Sequence, residues 1–241
     1  MRMLISAIVW LFIGIMTVLV MISVLLLALF PFDRQRRASH AVGFWWAEAI
    51  VGLNPFWNVE ISGLEHVDPR KTYVLIANHE SMADIVLLYK THLQFKWVAK
   101  RSLFKVPVFG WCMSLMKYVP LSRDEHGSIK AAYFQAARWL KDGMSVLFFP
   151  EGTRSRDGRI SQFKNGAFKL AIEESRPILP IYIGGSRNLI QTGSWVFNSR
   201  AVCRLKILAP IGTTGLKPEE FSLLRDEVRE KMQNISEKNS P

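Results

Sequence analysis

Hydrophobic and polar positions divide the 241-residue chain into two unequal parts. From Met3 to Phe32 no side chain carries a charge. That run is about 30 residues long, where ~20 suffice to cross a hydrocarbon core as helix. It is too long for the apolar stretch of a signal peptide, and no small-residue cleavage site follows it. Arg34, Arg36 and Arg37 come next, a bias that marks a cytoplasmic end and suits anionic headgroups. A second apolar segment, Ala38 to Trp57, carries Phe44, Trp45, Trp46, Phe56 and Trp57, interrupted by His40 and Glu48. Such aromatic residues favour a membrane interface. The pair reads as a helical hairpin, residues 1–57, that seats the chain on a bilayer by spanning it or by entering one leaflet. A helix buried in a soluble body is the other reading of each segment.

From Val59 the pattern changes. The short apolar run Tyr73–Ala77 reads as a buried strand, and Ser145–Phe149, Ile178–Ile183 and Val202–Leu208 are further strands. Helical patterns lie between and after them: Asn78–Tyr89 is a loop turning into helix, followed by Gly127–Leu140, Gly166–Glu174 and the charged, amphipathic Pro218–Gln233. Asp142-Gly143 is a stop signal. Strands alternating with helices predict an α/β domain over residues 58–241, with a mostly parallel central sheet flanked by helices.

Composition narrows the partners. The formal net charge is +11, which suits a polyanion, an anionic membrane surface or phosphorylated substrates. The basic residues are spread along the chain, and no zinc-knuckle spacing or RNA-binding aromatic signature appears. With the apolar N-terminus, this favours membrane and phosphate over nucleic acid. The two cysteines, Cys112 and Cys203, imply neither a disulfide framework nor a metal site.

Two stretches can carry chemistry. In Asn78-His-Glu-Ser-Met-Ala-Asp84, a histidine follows a buried strand and an aspartate comes five residues later. On one regular helix these side chains would point about 140° apart. They meet only if His79 sits in the turn before the helix and Asp84 in its first turns. The carboxylate would then fix the imidazole tautomer and leave the second nitrogen as a base. A capping turn with a chance histidine gives the same pattern. The base has no protein nucleophile to serve: there is no Gly-x-Ser-x-Gly elbow, and Cys112 has no basic activator nearby in sequence. Direct deprotonation of a substrate hydroxyl is simpler. Phe149-Pro-Glu-Gly-Thr-Arg-Ser155 also follows a strand, and its glycine, hydroxyls, backbone N–H groups and Arg154 can surround a phosphate. An ordinary polar loop after a strand has the same composition. The remaining histidines, His40, His66, His92 and His126, read as surface or interface residues, without metal-ligand spacing.

Taken in order, Asn-His-x4-Asp and the later Phe-Pro-Glu-Gly-Thr-Arg-Ser resemble the motifs of the glycerolipid acyltransferase family, above all its 1-acylglycerol-3-phosphate branch. The likeness runs over roughly residues 59–210. It implies that His79 is a general base, that Asp84 orients it, and that Glu151, Gly152, Thr153 and Arg154 bind the substrate phosphate. Arg123, in Tyr118-Val-Pro-Leu-Ser-Arg123, matches a further family arginine, with Ser122 where an aspartate is usual. Lys100-Arg-Ser-Leu-Phe-Lys-Val-Pro-Val-Phe-Gly110 resembles the family's Lys-x-x-Leu-x-x-x-Pro-x-x-Gly stretch, which makes Lys100 and Lys105 phosphate candidates; lysines facing solvent or headgroups are the alternative. Lys164, in Phe163-Lys-Asn-Gly, is a further candidate of the same kind.

The resemblance implies transfer of a fatty acyl group from a thioester to the 2-hydroxyl of 1-acylglycerol-3-phosphate, forming phosphatidic acid. The donor would be acyl-CoA or acyl carrier protein, with no metal or bound cofactor. The expected partners are the lipid bilayer and lysophosphatidic acid, and the expected location is a bacterial inner membrane with the catalytic domain on the cytoplasmic side. Another phosphorylated acceptor, a noncatalytic lipid-binding role and a thioesterase are the competing readings.

Overall fold

The computed structural model describes residues 2–30, 32–122, 125–155 and 157–239. Seven strands form one sheet: β1 (Trp57–Ser62), β2 (Val74–Ala77), β3 (Phe95–Lys100), β4 (Val119–Leu121), β5 (Ser145–Phe148), β6 (Ile178–Gly184) and β7 (Ala201–Ile207). Their order is β1-β7-β6-β2-β5-β3-β4. All neighbours are parallel except β6 and β7. Every residue of β2 is buried, as expected for a central parallel strand covered on both faces, and this explains its unbroken Val-Leu-Ile-Ala run.

The helices are α1 (Arg2–Ala28), α2 (Arg37–Gly52), α3 (Ala83–Tyr89), α4 (Phe109–Leu115), α5 (His126–Lys141), α6 (Gly166–Glu173) and α7 (Phe221–Asn239). Two apolar cores, one on each side of the sheet, sort them into layers. α1 to α4 supply one, with Leu75, Ala77 and Ile181 on its sheet face. α5, α6 and α7 supply the other, against Val74, Ile76 and Val146. On α5, Ala132, Ala136 and Ala137 are buried and permit the close approach that their small size allows, while Ala131 faces outward.

The N-terminal pair of helices packs on the α/β body. α1 is long and apolar enough to cross a membrane, with mean hydropathy 2.9 and only 11% of that window buried. Its inner face is nonetheless fastened to the body. Ser6 Oγ accepts the Phe197 N–H, Trp10 Nε1 donates to the Trp195 carbonyl, and Thr17 Oγ1 accepts from Trp46 Nε1. α2 is built into the core layer. His40, expected at a surface or interface, is fully buried. Its Nδ1 lies 2.7 Å from the Tyr118 hydroxyl and its Nε2 3.1 Å from the Leu93 carbonyl. Rings of Phe44, Tyr89 and Phe95 surround it. Burial, then the nearby Lys96 ammonium, lowers its pKa to about 3, so the imidazole is neutral in the fold. His66, His92 and His126 are exposed, as expected. Strands β1 and β3 and helix α4 had no distinct signature in the pattern. β3 conceals itself with Lys96, which is fully buried, donates to the Met116 carbonyl and lies over the Trp139 ring.

His40→Ala is expected to destabilise the protein by roughly 2–5 kcal/mol, because it empties a ring-sized space and strips a partner from two buried polar groups. Denaturant unfolding in detergent measures this; a change under about 0.5 kcal/mol would show that α2 is not part of the cooperative body.

Candidate active site

Pairing of β2 with β5 brings the two motifs together. Their parallel register aligns Ile76 with Phe148, so both strands end at one edge of the sheet, and the segments leaving them start side by side. Asn78 clamps the first turn to the next strand: its Nδ2 donates to the Ile183 carbonyl and its Oδ1 accepts the Ile183 N–H. The chain then turns through His79 to Met82 before α3 begins, which supplies the non-helical turn that a five-residue His–Asp spacing needs.

Asp84, fully buried, is the hub of this turn. Its Oδ2 lies 2.7 Å from His79 Nδ1 and accepts the N–H groups of Glu80 at 2.7 Å and Ser81 at 3.0 Å. An acceptor so held fixes the proton on Nδ1 and leaves Nε2 as the ring's lone-pair nitrogen. The His79 side chain keeps 18% of its surface exposed. Its ring stacks on Phe149 at 4.1 Å and 15°, so the second motif's first residue sets the plane of the imidazole. Ser81 is committed elsewhere: its hydroxyl donates to the Ile190 carbonyl.

The 149–155 loop is tied to the histidine at two further points. Ser155 donates its N–H to the His79 carbonyl at 2.7 Å. Glu151 Oε1 accepts the His79 N–H at 2.8 Å, while its Oε2 accepts the N–H and hydroxyl of Ser161. Glu151 thus departs from the phosphate-binding role that the resemblance implies. Its side chain is buried, both oxygens are engaged within the protein, and a carboxylate would repel a phosphate. Its effect is to hold the loops against each other. Gly152 turns the loop at φ 78°, in the left-handed region that glycine adopts without strain. That turn leaves Thr153 exposed and Arg154 half-buried.

Lys100 ends β3 opposite Leu121 of β4. Lys105 ends the short 3-10 helix that follows. Both are exposed; Lys100, on β3, lies one strand beyond β5 along the same edge, about 10 Å from β2 by strand spacing. Lys164 is also exposed, and its N–H donates to the Pro150 carbonyl. Arg123 lies outside the described residues; its neighbour Ser122 donates its N–H to Ser128 Oγ. Among the described residues no group of three or more His, Cys, Asp or Glu side chains is gathered as for a metal ion.

Trp97, whose ring lies 5.8 Å from that of Phe149, also lines an apolar cavity. Val20 of α1, Trp46 of α2, Ile85, Leu103 and Phe109 line it. Sequence reasoning missed this cavity because its walls come from segments far apart in the chain. It also missed Glu80, whose buried carboxyl sits beside Asp84. Burial, then the Asp84 charge, raises the Glu80 pKa to about 7. Ser186 Oγ donates to it at 3.3 Å.

A family model described as "Acyltransferase" matches residues 58–184. The chain belongs to the acyltransferase family. It is 38% identical over 83% of its length to a chloroplastic 1-acyl-sn-glycerol-3-phosphate acyltransferase of Brassica napus, covering 57% of that protein. To the alpha 1-acyl-sn-glycerol-3-phosphate acyltransferase of Mus musculus it is 32% identical over 73% of its length, covering 63% of the mouse protein. The chain therefore spans somewhat over half the length of these curated relatives. The crystal structure of the 1-acyl-sn-glycerophosphate (LPA) acyltransferase PlsC from Thermotoga maritima superposes with a TM-score of 0.82 at 27% identity, over 99% of this chain and 97% of that one.

Within this acyltransferase fold, the raised pKa of Glu80 carries a sign. The folded protein holds a proton on Glu80 that the unfolded chain has lost, so the stability it confers is full below about pH 4.5 and drains away as pH rises through about 7. Glu80→Gln keeps an acceptor oxygen without the charge. Its stability advantage over wild type is expected to grow by roughly 2–4 kcal/mol between pH 4.5 and 8. Thermal unfolding across that range tests it; a constant difference refutes the assignment.

Proposed function

We propose that this protein transfers a fatty acyl group from a thioester to the 2-hydroxyl of 1-acylglycerol-3-phosphate, giving phosphatidic acid. The observation that carries the reading is the join between the two motifs. His79, oriented by Asp84, is bonded through its own backbone to the loop that bears Arg154. One small molecule with a hydroxyl near a phosphate can engage both. Membership of the acyltransferase family and the names of the relatives support the same choice.

In this mechanism His79 Nε2 takes the proton of the acceptor hydroxyl as its oxygen attacks the thioester carbonyl carbon. The carbon–sulfur bond then breaks, and the imidazolium returns its proton to the departing sulfur. The Asp84 carboxyl, held against Nδ1, supports the transient positive charge on the ring. Arg154, with Arg123, Lys100, Lys105 and the Gly152-Thr153 turn, would hold the phosphate and so set the hydroxyl beside Nε2. Positioning of this kind is worth up to about 7–11 kcal/mol in favourable systems. The apolar cavity lined by Trp97 suits an acyl chain. The outer face of α1, with Leu4, Ile8, Leu11, Ile15, Leu19 and Leu26 each about half exposed or more, suits the acyl region of a bilayer. The active edge would then meet lysolipid and product where both reside.

His79→Ala and Asp84→Asn are each expected to lower turnover by about 10²–10⁴-fold, with unfolding behaviour kept. The assay follows phosphatidic acid formed from lysophosphatidic acid and a labelled thioester donor; near-wild-type turnover in His79→Ala overturns the mechanism. Arg154→Ala is expected to raise KM for lysophosphatidic acid about tenfold or more, since a charge-assisted bidentate contact is lost. An unchanged KM removes the phosphate role.

A further inference from the structure

The acceptor's phosphate, on the reading above, uses one side of His79. The strand order places β5, β3 and β4 on that side and β6, β7 and β1 on the other. The second side holds a broad groove that begins at Glu80, the residue after His79, and includes Arg187, Arg200, Arg204 and Phe56. Arg187 belongs to the turn leaving β6, and Arg200 and Arg204 to the start of β7. Gly185 presses this turn onto β7: at φ 80°, its missing Cβ would lie 2.2 Å from the Val202 carbonyl oxygen. The three guanidinium groups are thereby held on one wall system.

Each is presented differently. Arg187 reaches across to Gly158, on the loop beyond the second motif, where a Cβ would meet its Nη1 at 3.1 Å. Arg200 lies over the Phe56 ring at 5.2 Å, and Phe56 is 58% exposed. Arg204 is paired with Glu60 at 2.9 Å. Among the described residues, neither Arg187 nor Arg200 takes part in an ion pair. Arg187 also donates its backbone N–H to Glu80 and interacts electrostatically with that carboxyl. Two planar forks outside any close ion pair, beside an exposed aromatic ring, form a set that grips phosphates bidentately and stacks a nucleobase.

We propose that this groove binds the phosphorylated nucleotide half of a coenzyme A thioester donor, with Arg187 toward the phosphates nearest the thioester and Arg200 with Phe56 toward the adenosine. The proposal rests on the acyltransferase reading and extends it to the donor. The thioester would lie at His79, between the apolar cavity and the cationic groove, with its acyl and nucleotide halves drawn to opposite sides. An acidic carrier protein fits less well. It would need a broad basic surface, whereas this site is concave.

The test uses the full chain in detergent. In Arg187→Gln/Arg200→Gln, KM for palmitoyl-CoA is expected to rise about tenfold or more, while KM for lysophosphatidic acid stays within about twofold and lysine at both positions recovers part of the loss. A separate measurement needs no turnover and no variant. Adenosine 3′,5′-bisphosphate is expected to bind wild type by calorimetry, more weakly at higher salt, and to compete with palmitoyl-CoA. An unmoved donor KM, absence of nucleotide binding, or use of acyl carrier protein with palmitoyl-CoA refused would each overturn the proposal. Wild type that transfers no acyl group from any donor would instead defeat the acyltransferase reading, leaving nucleotide binding to decide the groove.

Discussion

The parallel pairing of β2 with β5 is the constraint on which the site depends. Three aligned residue pairs, Val74 with Val146, Leu75 with Leu147 and Ile76 with Phe148, make two distant segments emerge together. An antiparallel pair would send the second motif to the opposite edge. The fold reaches this pairing because both strands are short, wholly apolar at their centres and covered by helices on both faces. The crossovers through α3, α4 and α5 then place β3 and β4 beyond β5, with Lys100 at the end of β3 along the same edge.

Much of the architecture was readable from periodicity. The central strands announce themselves as apolar runs because they are buried twice over. α5 and α7 show their amphipathic faces. β1 and β3 escaped notice, and polar residues interrupt both. β1 alternates buried Trp57 with exposed Asn58 and Glu60, and β3 hides an ammonium group in its core. Such a residue reads as surface until the Met116 carbonyl and the Trp139 ring that receive it are known. His40 misled for the same reason: its partners, Tyr118 and Leu93, lie on other elements.

The site divides along similar lines. The His79 and Asp84 spacing demanded a turn, and the chain turns there. Glu151 looked like part of a phosphate cradle because its neighbours are small, hydroxylic or cationic, yet its carboxylate faces inward and binds two backbone N–H groups and one hydroxyl. Residue type within a motif does not tell which way a side chain points. Glu80 illustrates the converse: nothing in its sequence context marks it, whereas its burial beside Asp84 makes it the most strongly shifted carboxyl around the histidine.

The three side-chain links along α1, at Ser6, Trp10 and Thr17, have a mechanical consequence. A helix tethered only at its end lets the attached body swing like a lamp on a cord. This one is riveted lengthwise, so body and helix move as one rigid piece. If lipid covers its outer flank, the depth and tilt of the sheet's active edge follow from the helix, and the enzyme keeps only lateral drift and rotation about the bilayer normal. Attack geometry at the water–lipid boundary would then be inherited from a fixed keel rather than searched for anew at each encounter.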